Sequence, residues 1–537
     1  MIKSLNELIA NKKLKLFFKK RFANKKKNKN NIVLLEFNAF HSYHIPVSYF
    51  SNYLSEKYND SNLVGFFNYK ILSSPLKESL INKIKWHIGN KFNLKYFSIY
   101  RSFGVKEIFK PIINNNISNI AEKEFFSLRN QIKTKKDILD IKVNNVEIGD
   151  LIYDTYIKSK KKPTIHIDDY FFSFLSDFLK LYFFWDNYFK KNNVKAIIGV
   201  HSVYSYAIPL RIAINKKIPT YCVTFRKISK IDDKIKYFGG EFIEFKNTFK
   251  KIKNNLKLEG IKLAKKKIEY RFSGIPGVKS DLITSEISSF GNKFLPSLIN
   301  KKSKKKKIII FPHDFFDAVH AHGRILFEDF YEWLEYLGKI SKKTNYEWYI
   351  KNRPNFSGKF KIYQPQTENV INNFIKKYPH ITKLPNNYTH NQIIKEGIDC
   401  ALTVYGSVGF EYALFNIPVI NASTKNTHSN YNFNFHPKNL NEYEYLILNF
   451  DKQKLKIKTS EIYEYYFMKH IYNTKNWLID DLEHFMKYVG DYSHINSYKF
   501  YEYWIKNVTQ KKELQITQLI KNFIESKDYT INMDHLN

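Results

Sequence analysis

Residues 399–420, DCALTVYGSVGFEYALFNIPVI, carry the clearest indication of the fold. An apolar run at 401–404 predicts a short buried strand. Gly406 and Gly409 follow it, and glycine allows the backbone to turn sharply and to approach a ligand closely. A helix is predicted over 410–415, and the apolar residues at the end of the stretch predict the next strand. Strand, glycine turn, helix and strand in this order form the repeating unit of a doubly wound α/β domain.

The glycine turn carries polar residues at the carboxyl end of a strand, where open α/β sheets bind ligands. Tyr405, Gly406 and Ser407 lie in the turn, and Glu411 lies in the first turn of the predicted helix. Unpaired N–H groups at a helix start suit phosphates, and Glu411 is placed to accept hydrogen bonds from ribose or sugar hydroxyls. The alternative is structural, because any doubly wound domain uses glycine at such turns and Glu411 favours the helix dipole. The functional interpretation predicts a nucleotide-sugar pocket.

Apolar runs of strand length alternate with helical segments along most of the 537 residues, which is typical of parallel sheets. Strands are predicted at 32–35, 62–67, 195–201 and 218–223, and again at 308–311, 348–350, 401–404 and 418–420. Helices are expected from about Pro46 and over 207–215. The fold class predicted is therefore α/β, with two Rossmann-like domains.

The lysine-rich run at 301–307 marks the predicted boundary between the two domains. The predicted segments are a basic amphipathic N-terminal segment at 1–30, a Rossmann-like domain at 31–300, a second such domain at 308–450, and a helical C-terminal segment at 451–537. We expect the C-terminal segment to pack back on the first domain.

The glycine-turn segment resembles the donor-binding half of GT-B glycosyltransferases, above all those of bacterial capsule and surface-carbohydrate synthesis. A Gly-Ser turn, a helix with an early glutamate and a following Pro-Val-Ile strand recur in that family, and they stand here at Gly406, Glu411 and 418–420. The resemblance covers mainly residues 308–425. It implies two Rossmann-like domains facing across a cleft, with a nucleotide-sugar donor on the second, an acceptor on the first, and no further cofactor.

One motif departs from the family pattern. Members often carry Lys-Pro-His-Pro where this chain has Lys351-Asn-Arg-Pro-Asn355, so Arg353 takes the place of the histidine. Arginine forms bidentate contacts with phosphate, and we expect Arg353 to bind the donor through a different group. The nucleotide type is not carried over from the family.

A loop rich in histidine and aspartate follows the first strand of the second domain, FPHDFFDAVHAHGR at 311–324. Loops at strand ends carry function more often than buried segments do. We expect His313 and Arg324 to contact the donor, and Asp317 or His320 to handle a proton. Metal binding is an alternative, but the histidine spacing is irregular for a ligand set and no metal is expected. A hydrogen-bonded loop cap is the structural alternative.

The first domain offers histidines after its strands, and a transferase needs a base near the acceptor hydroxyl. His41 and His44 follow the first strand and are predicted as catalytic residues. Glu36 and Asp150 are further candidates for the base, and the sequence does not separate the four. A lone loop histidine is more often structural. Acceptor contacts are expected from Tyr153, Asp154 and His201.

The formal charge of +38 makes polyanions candidate partners. No zinc-finger spacing and no RNA-binding aromatic motif is present, so specific nucleic-acid binding is not expected. The scattered lysines favour solvated faces, or attraction to an anionic membrane surface or glycan. The N-terminal segment is expected to form an amphipathic helix that either touches a membrane or packs on the domain. With 2 cysteines and no signal peptide, a cytoplasmic location, peripheral on the membrane, is expected.

These features predict a glycosyltransferase that moves a sugar from a nucleotide-sugar donor to a surface polysaccharide or a lipid-linked glycan. Three alternatives stay open. They are a polyol-phosphate transferase with a cytidine-diphosphate-linked donor, a sugar-nucleotide 2-epimerase, and a non-catalytic glycan-binding or assembly protein. The sequence has no phosphate loop, nucleophile elbow or His-Glu-x-x-His motif, which favours transfer without a covalent serine or a metal.

Overall fold

A computed structural model of the protein describes residues 2–22, 28–68, 78–280, 287–354, 364–473, 477–490 and 495–536. The chain forms two compact units. The first unit contains residues 1–155, 166–238 and 473–537, and the second contains residues 156–165 and 239–472.

The strands, in chain order, are β1 Asn28–Phe37, β2 Ser61–Phe67, β3 Val105–Phe109, β4 Lys142–Val143, β5 Val146–Glu147, β6 Val194–Gly199, β7 Thr220–Val223, β8 Ile228–Ile231, β9 Lys307–Ile310, β10 Glu347–Lys351, β11 Ile381–Leu384, β12 Cys400–Thr403 and β13 Val419–Asn421.

The helices, in chain order, are α1 Ile2–Phe22, α2 His41–Lys57, α3 Leu80–Lys91, α4 Tyr96–Ser102, α5 Asn115–Gln131, α6 Lys135–Leu139, α7 Gly149–Lys160, α8 Asp169–Lys191, α9 Ile208–Asn215, α10 Phe245–Lys251, α11 Asn254–Phe272, α12 Phe330–Ser341, α13 Gln364–Lys377, α14 His390–Glu396, α15 Val408–Ala413, α16 Leu440–Leu448, α17 Thr459–Phe467, α18 Leu482–Val489, α19 Lys499–Asn507 and α20 Gln510–Glu525. Short 3-10 segments lie at Tyr204–Ala207, Gly240–Glu244, Val278–Ser280, Phe450–Lys452 and Met533–Leu536, and a π-helical turn lies at Met468–Tyr472.

The first unit is built on a sheet with the strand order β3-β2-β1-β6-β7-β8. Every neighbouring pair is parallel except β7 and β8, which are antiparallel. This order is a doubly wound arrangement in which β1 and β6 are central neighbours, with one antiparallel strand added at an edge. The short strands β4 and β5 form a separate hairpin.

The second unit is built on a fully parallel sheet with the order β11-β10-β9-β12-β13. Its central strands are apolar on both faces, because helices cover both sides of a parallel sheet. Ile308, Ile309 and Ile310 are all fully buried. Both units are therefore Rossmann-like, and the α/β fold class predicted from the sequence is confirmed.

The predicted strands are all present, with ends that differ by a few residues, but two helices begin earlier than expected. The helix after β1 starts at His41 and contains Pro46. It starts early because the Asn38 carboxamide accepts a hydrogen bond from the Phe40 N–H at 3.0 Å, which forms a turn directly before His41. The helix after the glycine turn is Val408–Ala413, because Ser407 already has helical dihedrals. Glu411 lies in its first turn as predicted.

The compact units divide the chain differently from the sequence-based boundaries. Residues 239–300 and 451–472 lie in the second unit, and residues 473–537 lie in the first. The packing of α11 shows why, because a Cβ at Gly260 would lie only 2.1 Å from the ring of Phe467. The charge run at 301–307 thus lies inside the second unit, with 301–306 in a loop and Lys307 at the start of β9. The composition shift in the sequence did not mark the change of unit.

The N-terminal segment forms the predicted helix and packs on the first unit. Ala10, Leu14 and Phe18 are buried along one face of α1, and the Phe18 ring meets Phe103 edge to face at 5.5 Å. Arg21 at the end of the helix forms an ion pair of 2.9 Å with Glu513. Residues 23–27 of the predicted N-terminal segment lie outside the described residues, and residues 28–30 belong to β1.

Candidate functional site

The centre of the second sheet is the point where the chain connections reverse direction, between β9 and β12. Ligands of open α/β sheets bind at the carboxyl ends of the strands at such a point. His313 follows β9 and meets the turn that follows β12. Its Nε2 lies 3.1 Å from Thr403 Oγ1 and accepts a hydrogen bond from the Tyr405 N–H at 3.3 Å. The structure thus brings the predicted residues His313 and Tyr405 together.

The His313 ring is held as a neutral acceptor. Burial lowers its pKa to about 3, and the nearby positive charge of Arg353 contributes in the same direction. The Gly406 N–H donates to Thr403 Oγ1 at 3.2 Å, which directs the Thr403 hydroxyl proton to His313 Nε2. The ring also stacks on Phe330, with centroids 4.7 Å apart. This network fixes the conformation of the Gly406 turn.

Neither glycine of the turn adopts the left-handed conformation that glycine favours. Close packing explains them instead. A Cβ at Gly406 would lie 2.8 Å from Thr403 Oγ1, and a Cβ at Gly409 would lie 2.5 Å from the ring of His428. The sequence predicted a close approach of a ligand at these positions, and the structure shows a close approach of the protein's own side chains.

Gly409→Ala is expected to lower the stability of the protein by about 1–3 kcal/mol, the usual effect of inserting a methyl group into a packed interior. The new Cβ meets His428 and Asn434, and both side chains are buried. Thermal unfolding followed by circular dichroism measures the change. Gly291→Ala is the matched control, because its Cβ would meet only Thr389, at 3.5 Å. Equal melting temperatures for the two variants would contradict the close contact.

Glu411 forms a buried ion pair with Arg271 at the end of α11. Arg271 Nε and Nη2 lie 2.6 and 2.5 Å from Glu411 Oε1, and the two side chains are only 11% and 3% exposed. Arg271 Nη2 also lies 3.4 Å from Ser407 Oγ, and its guanidinium lies 5.5 Å from the centre of the Phe410 ring. The predicted donor residues Ser407 and Glu411 are therefore joined by an arginine that the sequence did not indicate.

A buried lysine is the second residue that sequence reasoning missed. Lys351 ends β10 and is 1% exposed. Its Nζ donates one hydrogen bond, to the Asn352 carbonyl at 3.0 Å. Burial lowers the pKa of Lys351 to about 7, and the negative charge of Glu411 opposes this shift. Lys351 is the first residue of the Lys351–Asn355 motif discussed in the sequence, so its position could have marked it as a site residue.

Arg353, predicted to bind phosphate, lies two residues further on and is more exposed. Its Nη2 forms an ion pair of 3.0 Å with Asp314 Oδ2, and its side chain is 44% exposed. Asp314 also accepts hydrogen bonds from the Phe316 N–H at 3.1 Å and the Thr367 hydroxyl at 3.3 Å. These hydrogen bonds fix the Asp314 carboxylate. Arg353 is therefore held by Asp314 while part of its side chain stays exposed to solvent. Asn355 of the same motif lies outside the described residues.

Buried aromatic side chains and His390 pack behind the residues of the site. His390 Nδ1 lies 2.9 Å from the Tyr412 hydroxyl, and the His390 ring lies between Phe290 and Phe311 at 5.0 and 5.1 Å. Burial holds the pKa of His390 well below its usual range, and the positive charge of Lys351 contributes. A neutral His390 adds no charge beside the buried lysine.

The other predicted residues of the 311–324 loop differ in their environments. Asp317 is exposed and forms an ion pair of 3.1 Å with Lys158, whereas His320 is 2% exposed. Arg324 is half-buried. In the described part of the chain, no group of three His, Cys, Asp or Glu side chains is placed to hold a metal ion.

In the first unit, two of the base candidates have structural roles. His44 is fully buried, its Nε2 donates to the Asn38 carbonyl at 2.7 Å, and its Nδ1 is bonded to the Tyr501 hydroxyl. Burial lowers the pKa of His44 to about 3. With both nitrogens engaged inside the unit, His44 does not fit the predicted role of base. Asp150 is likewise engaged, in an ion pair of 2.6 Å with Arg211.

Glu36 lies at the carboxyl end of β1, where the chain connections of the first sheet reverse direction. Its Oε2 accepts a hydrogen bond from the Val200 N–H at 3.0 Å, so it links the ends of β1 and β6. His41 is almost buried, and its Nε2 lies 3.7 Å from Glu7 Oε1, which is beyond hydrogen-bond distance. Burial lowers the pKa of His41, and Glu7 opposes the shift.

The predicted acceptor residues are not equally accessible. Tyr153 is fully buried and Asp154 is 3% exposed, and their role as acceptor contacts stays a prediction. Residues 151–157 of α7 are all buried, so the helix is enclosed on every side at this point. His201 is half-buried and stacks on Phe238, with centroids 5.1 Å apart.

Comparison with known proteins gives only distant similarity. No protein-family model and no curated protein matches the sequence. UDP-GlcNAc 2-epimerase from Neisseria meningitidis, solved with UDP-GlcNAc, aligns at 9% identity and a TM-score of 0.23 over 83% of this chain and 95% of that chain. S. aureus MnaA with UDP aligns at 12% identity and a TM-score of 0.25 over 89% and 99%. Acinetobacter baumannii MurG aligns at 10% identity and a TM-score of 0.19 over 91% and 99%. Similarity this low carries no argument, and the fold assignment rests on the two sheets themselves.

Proposed function

We propose that this chain is a glycosyltransferase that moves a sugar from a nucleotide-sugar donor to a glycan or lipid-linked acceptor, and that its second unit binds the donor. The observation that carries the proposal is a buried excess of positive charge at the carboxyl edge of the second sheet. Arg271 is paired with Glu411, whereas Lys351 has no ion-pair partner in the described part of the chain.

A buried, unpaired cation is unfavourable for folding alone. A nucleotide diphosphate supplies the negative charge that Lys351 lacks, and lysine is a common point-charge ligand of phosphate. Charged groups with strongly shifted pKa values collect at functional sites, and Lys351 has both the shift and the position at a strand end. These properties support phosphate binding at this edge of the sheet.

The surrounding groups suit the remaining parts of a nucleotide sugar. In our proposal the Ser407 hydroxyl contacts the phosphates beside the Gly406 turn, and Glu411 accepts hydrogen bonds from ribose or sugar hydroxyls while Arg271 holds it in place. Tyr405 and His313 form one wall of the site, since they contact each other at 4.6 Å between ring centres. Arg353 and Arg324 add positive charge at the surface.

We further propose that the first unit binds the acceptor and that His41 is the base. His41 is neutral at physiological pH because burial lowers its pKa, and the negative charge of Glu7, 3.7 Å from its Nε2, would stabilise the imidazolium that forms. A neutral imidazole accepts a proton from an acceptor hydroxyl as the bond to the donor phosphate breaks. His201 contributes an acceptor contact in this proposal, and Asp317 is the alternative proton acceptor because it is exposed.

A surface glycan or lipid-linked acceptor fits a protein that works on the cytoplasmic side of a membrane, and this location is part of the proposal. Among the described residues, no helix combines the length and the apolar character that a membrane crossing requires.

Thermal unfolding with cytidine, uridine, guanosine and deoxythymidine diphosphates tests the donor site. A ligand that binds only the folded protein raises the melting temperature, by about 5–10 °C at a hundredfold excess over Kd. We expect one nucleotide to raise it in the wild type and to lose most of this effect in Lys351→Met. Lys339→Met is the matched control, because Lys339 is exposed on α12.

The outcomes separate the proposal from its alternatives. Stabilisation by cytidine diphosphate alone would favour the polyol-phosphate transferase, and epimerisation of a sugar nucleotide without an acceptor would identify an epimerase. If no nucleotide stabilises the wild type, the donor site is wrong and the glycan-binding alternative takes its place. Equal shifts in the wild type and Lys351→Met would exclude Lys351 as the phosphate contact.

A further inference from the structure

Helix α3 in the first unit exposes a stripe of large apolar side chains. Leu80, Ile81, Ile84 and Ile88 are 71%, 63%, 49% and 42% exposed. Three of them recur at intervals of four residues, which places them along one side of the helix. Phe92, directly after the helix, is 62% exposed as well. Folded proteins rarely expose several large apolar side chains next to one another. Where such a contiguous apolar patch is exposed, it marks an interaction surface.

The opposite side of α3 packs against the first unit. The exposed stripe is therefore a separate face of the helix from the one that packs on the core. Trp86 meets the rings of Phe37, Phe67 and Phe97 at 5.5, 5.0 and 4.9 Å. Gly89 lies against Phe97, where a Cβ would approach the ring to 2.8 Å. One face of the helix therefore packs on the unit, and a separate apolar face is exposed to solvent.

Lysines flank the exposed stripe. The helix sequence LINKIKWHIGNK contains Lys83, Lys85 and Lys91 and no acidic residue, and Lys95 follows shortly after. None of these four lysines forms an ion pair within the described part of the chain. Their charges are therefore available to an external anion.

The solvent side of α1 has the same design. Leu5, Leu8, Ile9 and Leu16 are 57%, 64%, 44% and 58% exposed, on the side opposite the buried Ala10, Leu14 and Phe18. Five lysines lie around them, at positions 12, 13, 15, 19 and 20. Helix α1 packs against α4, and α4 directly follows α3 in the chain of the first unit.

We propose that the outer faces of α1 and α3 dock the protein on the surface of an anionic lipid bilayer. An apolar stripe with lysines on both sides is the pattern of a helix that lies in the membrane interface, with its apolar side chains at the acyl boundary and its lysines among the headgroups. Two such faces bind more strongly than one, because binding strength increases with the apolar area buried in the interface and with the attraction to anionic lipids. The charge complementarity with anionic headgroups favours this occupant over a second copy of the same lysine-rich faces, which would repel each other. The proposal does not depend on the nucleotide site.

Co-sedimentation of the full chain with vesicles tests this docking surface. The vesicles are equimolar phosphatidylglycerol and phosphatidylcholine, with pure phosphatidylcholine for comparison. We expect the wild type to bind only the anionic vesicles, and binding to weaken with salt. Ile81→Asp/Ile84→Asp is expected to lower the partition coefficient at least about tenfold, because two charges replace two apolar anchors. Leu8→Asp/Leu16→Asp on α1 is expected to do the same.

Leu258→Asp/Leu263→Asp on α11 is the matched control, with the same chemical change at residues that are 74% and 42% exposed in the second unit. It should bind vesicles as the wild type does. Wild type that stays in the supernatant, or α3 and α1 variants that bind as the control does, would overturn the proposal. Sedimentation equilibrium of the same proteins adds a further outcome, since a wild-type dimer that the α3 variant abolishes would assign the surface to a second copy instead. Nucleotide-dependent thermal shifts of the α3 variant show separately whether the donor site is intact.

Discussion

Replacing Glu411 by alanine is expected to lower the free energy of unfolding of the second unit by about 3–5 kcal/mol, the usual effect of removing one partner of a buried ion pair. The Arg271 side chain is only 11% exposed, so its guanidinium would stay buried without a carboxylate. The Ser407 hydroxyl at 3.4 Å and the Phe410 ring are weak substitutes. Most of the loss therefore comes from the charge left behind and not from the lost contact itself.

A urea titration followed by tryptophan fluorescence measures this change, since Trp333 and Trp348 are buried in the second unit. The matched control is the double variant Arg271→Met/Glu411→Leu, which removes both charges and keeps apolar volume. We expect the double variant to recover most of the stability that Glu411→Ala loses. A loss below about 1 kcal/mol in the single variant, or a double variant as unstable as the single one, would show that the pair is not formed in the folded protein.

The second large effect concerns Lys351 and pH. Its pKa is about 7 in the folded protein and 10.5 in the unfolded chain. Between these values the unfolded chain binds more protons than the folded protein, so the contribution of Lys351 to stability rises with pH, by about 1.4 kcal/mol per pH unit. Below pH 7 both states are protonated and the full penalty of burying the charge is present. Over the whole range the change amounts to about 4–5 kcal/mol.

Lys351→Met isolates this contribution from the many other groups that titrate in the same range. We expect the variant to be more stable than the wild type at pH 6 and 7, and the difference between them to shrink steadily from pH 7 towards pH 10. Urea midpoints at each pH give the two curves. Lys339→Met should follow the wild type throughout, because that lysine is exposed. Parallel curves for the wild type and Lys351→Met would mean that the lysine is charged and solvated in the folded state.

The strands of both sheets could be predicted because a parallel sheet is buried on both faces and its strands are continuously apolar. Ile308, Ile309 and Ile310 show this, since all three are fully buried. Glu411 could also be placed, because it stands a fixed number of residues after a glycine turn. These predictions depend only on local sequence, and they were confirmed.

The partners of the site residues could not be predicted, because they come from distant parts of the chain. Arg271 lies 140 residues before Glu411, and nothing near it suggests an ion pair. Lys351 stands in a motif that was noticed, but its burial depends on helices and strands packed around it. His44 was predicted as a base from its place after a strand, and Tyr501, 457 residues later, turns it into a structural residue.

Local sequence patterns were sufficient to predict two α/β sheets, the position of the glycine turn, and the presence of Glu411 in the helix that follows. The packing of distant segments instead places His428 against Gly409, pairs Arg271 with Glu411, and buries Lys351 without an ion-pair partner in the described part of the chain. The physical reason is that backbone conformation follows from short-range patterns of apolar residues. The charge state of a side chain instead depends on solvent exclusion and on every charged group nearby, wherever it lies in the chain.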